Sequence, residues 1–244
     1  MEENNAWIKV SSPEFLEEGW ITKDKIIEKN NYPEKTSFAK VKSLWAYLYI
    51  EKNTYMGEFA MRIPYNTKIE IKEHIDERWA IAKTLDDNLY YIQKNDLSFE
   101  DKILTIDEMI NEAMLFLNIP YLFSGCSSYG FDCSGFVQVL FKQMDILLPK
   151  NSRNQSKSDL FEDVIDINNL QKADLLFFIN PITKRINHVG LYLYDDLFIH
   201  ASAGSYWDGK NCVKISSLKL PKSRERFIYA KRLNISKIKS TSKL

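Results

Sequence analysis

The chain has 244 residues, with 33 Lys and Arg against 33 Asp and Glu and a formal net charge of zero. Hydrophobic residues make up 45% and aromatics 13%, which provides for a sizeable core and excludes wholesale disorder. The neutral balance lacks the basic excess of a nucleic-acid binder. No apolar run approaches the roughly 20 residues of a membrane span, and three irregularly spaced Cys exclude a disulfide framework or a four-Cys zinc site.

The opening residues, Met1-Glu2-Glu3-Asn4-Asn5, have neither the basic nor the apolar segment of a secretory leader, and as written they predict a cytoplasmic protein. Trp7-Ile8-Lys9-Val10 alternates like a half-buried strand, and Gly19-Trp20-Ile21 reads as a second. Residues 1–38 thus form a partial β segment with too few strands to hold a core of its own. Residues 39–97 read as a small β-barrel. Ala46–Ile50, Lys68–Lys72, Trp79–Ala82 and Leu89–Ile92 are short strand-like runs separated by turn residues such as Asn53, Pro64 and Asn88.

Residues 98–235 hold the chemistry, and 236–244, rich in Lys and Ser, read as a disordered tail. Thr105 and Glu108 have the spacing of a capping box and predict a helix with Ile106, Met109, Ile110, Ala113 and Phe116 on its inner face; Pro120 ends it. A loop rich in Gly and Ser follows and feeds a second helical pattern at Phe136, Val137, Leu140 and Phe141. Cys133 therefore stands at a helix start, where unpaired N–H groups and the dipole favour an anion and lower a thiol pKa.

Such a thiol needs a base. His188 opens the strand-like Val189–Tyr194, His200 lies in a second strand-like run, and Asp195-Asp196 marks a turn between them. A three-residue loop pairs Tyr194 with Phe198 and puts both histidines on one face, whereas a two-residue loop puts them on opposite faces. The first arrangement permits a Cys–His–His set of nucleophile, base and orienting group. The same donor types also occur at zinc, but a reactive thiol at a helix start is explained without metal. His74 sits in a charged run and reads as solvent-facing, while Cys126 and Cys212 have no assigned role.

These motifs carry a resemblance. Phe131-Asp132-Cys133-Ser134-Gly135-Phe136, Leu148-Pro149-Lys150-Asn151-Ser152 with Gln155, Ala173-Asp174-Leu175, Asn187-His188-Val189-Gly190 and Phe198–Ser202 resemble, in order, the signature of NlpC/p60 bacterial cysteine peptidases. The resemblance covers about residues 106–232. It implies an α+β, papain-like catalytic domain with Cys133 as nucleophile, His188 as general base and acid, and His200 as the orienting residue. It also implies Asp132, Ser134, Asn151 and Ser152 as substrate contacts, the Cys133 N–H as an oxyanion donor, and no metal or other cofactor.

The front part resembles bacterial SH3-like domains, the first incomplete and the second at 39–97. That arrangement is similar to γ-D-glutamyl-L-diamino acid endopeptidases of the dipeptidyl-peptidase VI type. The implied substrate is a murein-derived peptide, L-Ala-γ-D-Glu-diaminopimelate or its Lys counterpart, with a free N-terminus, cleaved through a thioester. Two other readings are an exported D,L-endopeptidase of polymeric peptidoglycan, placed in the periplasm or outside the cell if the chain starts further upstream, and a non-enzymatic peptide-binding module. Phe123-Ser124 stands where the family usually has Trp-Gly, and Lys150-Asn151 where Arg-Asp is commoner; the latter removes a negative charge from the expected amine site.

Overall fold

The computed structural model describes residues 3–4, 6–12, 17–27, 36–55, 58–204 and 210–237. The chain forms two compact units, one of Met1–Val10 and Glu18–Lys102 and the other of Ser11–Glu17 and Ile103–Leu244.

The front of the chain forms a three-stranded sheet, β1 (Glu3–Asn4), β2 (Trp7–Ser12) and β3 (Glu17–Thr22). Seven further strands follow: β4 (Ser37–Val41), β5 (Trp45–Tyr49), β6 (Phe59–Pro64), β7 (Lys68–His74), β8 (Trp79–Lys83), β9 (Leu89–Gln93) and β10 (Leu97–Ser98). They form one antiparallel sheet in the order β10-β4-β7-β8-β9-β5-β6. Ala39, Val41, Ala46, Leu48, Ile69, Ile71, Ala80, Ala82, Ile92 and Leu97 share one core. A single sheet whose strands all feed one core must curl over itself, as period-2 alternation on each strand allows. His74 is exposed on β7, its ring 5.2 Å from that of Phe99.

In the second unit, α1 (Ile106–Leu115) starts at Thr105 with both halves of the capping box in place. Next come the short β11 (Cys126–Ser127) and β12 (Gly130–Phe131), then α2 (Cys133–Lys142) and α3 (Ser152–Gln155). The remaining strands are β13 (Phe161–Val164), β14 (Leu175–Ile179), β15 (Ile186–Tyr194), β16 (Leu197–Ser202), β17 (Cys212–Ser217) and, after α4 (Pro221–Arg226), β18 (Phe227–Leu233). They make a six-stranded sheet, β13-β18-β14-β15-β16-β17, whose pairs are antiparallel.

Phe116, Phe131 and Phe136 are fully buried and pack edge to face with centroids 5.0 to 6.2 Å apart. Each such pair contributes about 0.5–1.5 kcal/mol beyond its buried area. This aromatic triangle fixes the end of α1, strand β12 and the first turn of α2 against one another. On the sheet, Arg232 grips the buried carboxylate of Asp174 through two bonds, Nε–Oδ1 at 2.9 Å and Nη2–Oδ2 at 2.8 Å. The planar fork matches the carboxylate, and the N–H of Gln171 satisfies Oδ2 again at 2.8 Å.

The expected disordered tail, 236–244, falls largely on residues 238–244, outside the described residues. Lys237 itself donates from Nζ to the carbonyl of Asp159 at 2.8 Å. Among the described residues no helix is long and apolar enough to cross a membrane.

Candidate active site

The loop before α2 is tied down by its backbone. Leu122 N–H donates to the Phe131 carbonyl at 3.0 Å, Phe131 N–H to the Pro120 carbonyl at 3.1 Å, and Asp132 N–H to the Gly125 carbonyl at 2.9 Å. Asp132 caps the helix: its Oδ1 accepts the Gly135 N–H at 2.7 Å and the Ser134 hydroxyl at 2.9 Å. Asp132 and Ser134, expected as substrate contacts, are thus bound to each other at the helix start. Asn151 likewise caps α3, accepting the Asn154 N–H at 2.9 Å; it is exposed, and the neighbouring Ser152 is buried. Gln155 links the two short elements by donating to the carbonyls of Ser134 at 3.1 Å and Pro149 at 2.9 Å.

Cys133 is the first residue of α2, 7% exposed, and α2 packs on β15. The backbone N–H of Val189 on β15 donates towards its sulfur, which brings the thiol to the strand that carries His188. His188 Nε2 lies 2.7 Å from His200 Nδ1, and His200 Nε2 lies 2.9 Å from Ser216 Oγ on β17.

The two histidines share a face, but not through a three-residue loop. Tyr194 pairs with Leu197 rather than Phe198, so the turn is the two-residue Asp195-Asp196, with φ of 49° and 62°. Both positive values are those of a type I′ turn, which matches strand twist. A bulge between Tyr192 and Tyr194 then restores the face that a two-residue turn alone would lose, and Tyr192 pairs with Phe198 instead of His200. Gly190 keeps the crossing close: a Cβ there would meet the Phe198 ring at 2.7 Å and the His200 Cβ at 3.4 Å.

The electrostatics differ from what the helix start suggests. Burial pushes the Cys133 thiol up to about 12, with Asp132 adding to it and the N–H groups of Val189, Ser134 and Cys133 opposing. Burial also lowers His188 to about 3, aided by the charges of Arg226 and Lys214. His200 is driven well down by burial, by His188 and by the same two cations. The helix dipole is outweighed because both partners are enclosed. The resting site therefore holds a neutral thiol beside a neutral imidazole, a pair that can move one proton from sulfur to nitrogen as the sulfur attacks.

Sequence reasoning missed three neighbours. Tyr121 is pushed up to about 12 by burial and then by Cys133 and Asp132, so its hydroxyl stays protonated near the sulfur. Lys214, buried and the register partner of His200, donates from Nζ to the Lys210 carbonyl at 2.9 Å. Arg226, also buried, holds the Ile179 carbonyl at 3.0 Å and Asn187 Oδ1 at 3.2 Å. Among the described residues, no group of three His, Cys, Asp or Glu side chains is arranged to hold a metal ion.

Residues 118–232 match the model of the NlpC/P60 family. The chain is 30% identical over 146 residues to the Escherichia coli K12 murein DD-endopeptidase MepS/murein LD-carboxypeptidase, covering 58% of this chain and 72% of that protein. The chain belongs to the NlpC/P60 family. The family segment contains Cys133, both sheet histidines and all four expected substrate contacts. A second relative, a γ-D-glutamyl-L-lysine dipeptidyl-peptidase of Bacillus cereus, is 28% identical over 225 residues, which is 88% of this chain and 63% of that protein. The chain thus spans less than two thirds of that relative. The crystal structure of an NlpC/P60 family protein from Bacillus cereus shares the fold, with a TM-score of 0.75, 24% identity, and coverage of 96% of this chain and 78% of the other.

Proposed function

We propose that the protein is a cysteine peptidase that hydrolyses the γ-D-glutamyl–diamino acid bond of murein peptides with a free N-terminal L-Ala. One observation carries the reading. A thiol at the first position of α2 meets the strand of His188, whose Nε2 is engaged by His200 at 2.7 Å. The named relatives, a γ-D-glutamyl-L-lysine dipeptidyl-peptidase and a murein endopeptidase, support the substrate class.

In this reading Cys133 is the nucleophile, His188 the base and acid, and His200 the orienting group. The sulfur attacks the γ-glutamyl carbonyl carbon while His188 Nδ1 takes the thiol proton. The Cys133 N–H, an N1 donor without an intrahelical partner, and the protonated Tyr121 hydroxyl supply charge to the developing oxyanion. His188 then protonates the leaving amine, and a thioester remains. Water, deprotonated by His188, attacks that thioester and frees the dipeptide and the thiol. Asp132, Ser134, Asn151 and Ser152 are assigned to the substrate, with Asp132 as the negative charge for the terminal ammonium. The curled sheet of residues 37–98 is assigned as an SH3-like module.

Mass spectrometry of L-Ala-γ-D-Glu-meso-diaminopimelate, its L-Lys counterpart and N-acetylated copies tests this against a Cys133→Ala variant. Release of L-Ala-D-Glu from the free peptides alone, lost in the variant, is the expected result. Equal cleavage of acetylated peptides transfers the reading to an endopeptidase of polymeric murein. Cleavage of none of them leaves a peptide-binding module.

A further inference from the structure

We infer that Ser216 is a positioning residue that sets the proton direction of the histidine pair. The inference rests on the peptidase reading above only for its kinetic arm. Two heteroatom contacts run in series across the sheet to its outer strand: His188 Nε2 to His200 Nδ1 at 2.7 Å, and His200 Nε2 to Ser216 Oγ at 2.9 Å. Ser216 lies diagonally across the β16–β17 ladder from His200, two residues beyond its register partner Lys214, and on the same face. It is buried, and its Oγ meets the last ring nitrogen of the chain at 2.9 Å.

A neutral imidazole carries one N–H and one lone pair, so a series of two imidazoles has only two polarities. In the first, His188 Nε2–H donates to His200 Nδ1, and His200 Nε2–H donates to Ser216 Oγ. His188 Nδ1 is then a lone pair and can take the thiol proton. In the second, Ser216 donates to His200 Nε2, His200 Nδ1–H donates to His188 Nε2, and His188 carries its proton on Nδ1, the nitrogen that the peptidase reading assigns to the thiol. That form cannot act as a base. Both rings are buried beside the cations Lys214 and Arg226, which disfavour a second proton on either ring, so the choice between polarities is real at neutral pH.

The Ser216 hydroxyl can serve either polarity, but the competent one depends on it more, because there it accepts a His200 Nε2–H that is otherwise buried without a partner. Replacing it with Ala leaves His200 Nε2–H buried without a partner in the competent form. The reversed form presents only a lone pair there, which is less costly to bury against a methyl group. The substitution therefore favours the inactive tautomer without touching substrate.

The test has two arms on the full chain. In the first, ¹⁵N-histidine NMR at neutral pH is recorded on the His74→Gln variant, which leaves only the two sheet histidines and changes an exposed side chain. Both rings are expected as Nε2–H tautomers, and an Nδ1–H on either overturns the proposal. In the second, Ser216→Ala is expected to lower kcat about 5- to 100-fold with KM within about two-fold, while Ser216→Thr, which keeps the hydroxyl, stays within about three-fold of wild type. An unchanged kcat in Ser216→Ala overturns it, as does a Thr variant as impaired as Ala. If Ser216→Ala does not fold, or if the murein peptides are not substrates, the tautomer measurement decides alone.

Discussion

Gly135→Ala puts two opposing effects of known size against each other. Gly135 lies in the first turn of α2, and Ala there is intrinsically better for a helix by about 1 kcal/mol. The surroundings oppose it. An added Cβ would sit 2.1 Å from the Gly125 carbonyl oxygen, 3.0 Å from its carbon and 3.2 Å from the Cys126 Cα. All three are backbone atoms, and the oxygen is itself held by the Asp132 N–H at 2.9 Å. Ordinary contact begins at 3.4 Å, so the first turn must retreat by about 1 Å or more. Overpacking against backbone costs about 3 kcal/mol, which exceeds the propensity gain, and a displacement of about 1 Å at the nucleophile costs about 100-fold in rate. The variant should melt about 4–8 °C lower by scanning calorimetry, from a net loss near 2 kcal/mol, and lose about 100-fold in dipeptide release. A melting point raised by about 2–4 °C with activity retained is what propensity alone gives, and it would refute the close approach of Gly125 and Gly135.

Ser124 has φ of 59° and an exposed side chain, so it occupies the left-handed region with no visible packing reason. Ser124→Gly should stabilise the protein by about 0.5–1 kcal/mol, and an unchanged or lowered urea midpoint contradicts the strain. His188 and His200 are held neutral, with His188 lowered to about 3. As pH falls below about 6.5 the unfolded chain takes up protons that the native sheet refuses, so stability is present above that pH and is lost towards pH 3. The loss is up to about 1.4 kcal/mol per pH unit for each histidine. His188→Gln should flatten this slope, and a urea midpoint that is level between pH 7 and 5 in wild type contradicts the burial argument. At the alkaline end Cys133, raised to about 12, keeps a proton that the unfolded thiol loses above about 9, so stability should also fall from pH 9 upward and Cys133→Ser should remove that limb.

What could be read from the sequence is what is decided locally or by simple alternation. Thr105 and Glu108 announce α1 because a capping box needs only four residues. Cys133 is legible as a helix start because Asp132 caps locally, and His188 is legible as a strand residue because Val189–Tyr194 is a short continuous run of strand-forming residues. Strand β17 escaped for a physical reason. It buries Lys214 and Ser216 on one face and Val213 on the other while Ile215 is 38% exposed, so burial along it does not follow the alternation of apolar residues. The inward face is the polar wall behind His200, and a pattern rule that sends apolar residues inward cannot find it. Strand β18 escaped because Lys231 and Arg232 look like loop residues until Asp163 and Asp174 are brought across the sheet from distant sequence. The thiol's raised pKa was equally invisible, since burial depends on β15 lying over α2. The SH3-like character of the front strands rests on resemblance rather than on any residue pattern.

The Asp195-Asp196 turn has a consequence for natural variation. Surface hairpin loops ordinarily tolerate changes in length. Here the two-residue turn and the single bulged residue near Leu193 are counted against each other, and only their combination leaves His188 and His200 on one side of the sheet. One residue gained or lost in this exposed tip, without a matching change in the bulge, reverses the face of every residue on β16 and carries His200 away from its partner. Homologous chains should therefore keep Asp, Asn or Gly at these two positive-φ positions, and an insertion there should come with loss of the bulge wherever the histidine pair is kept.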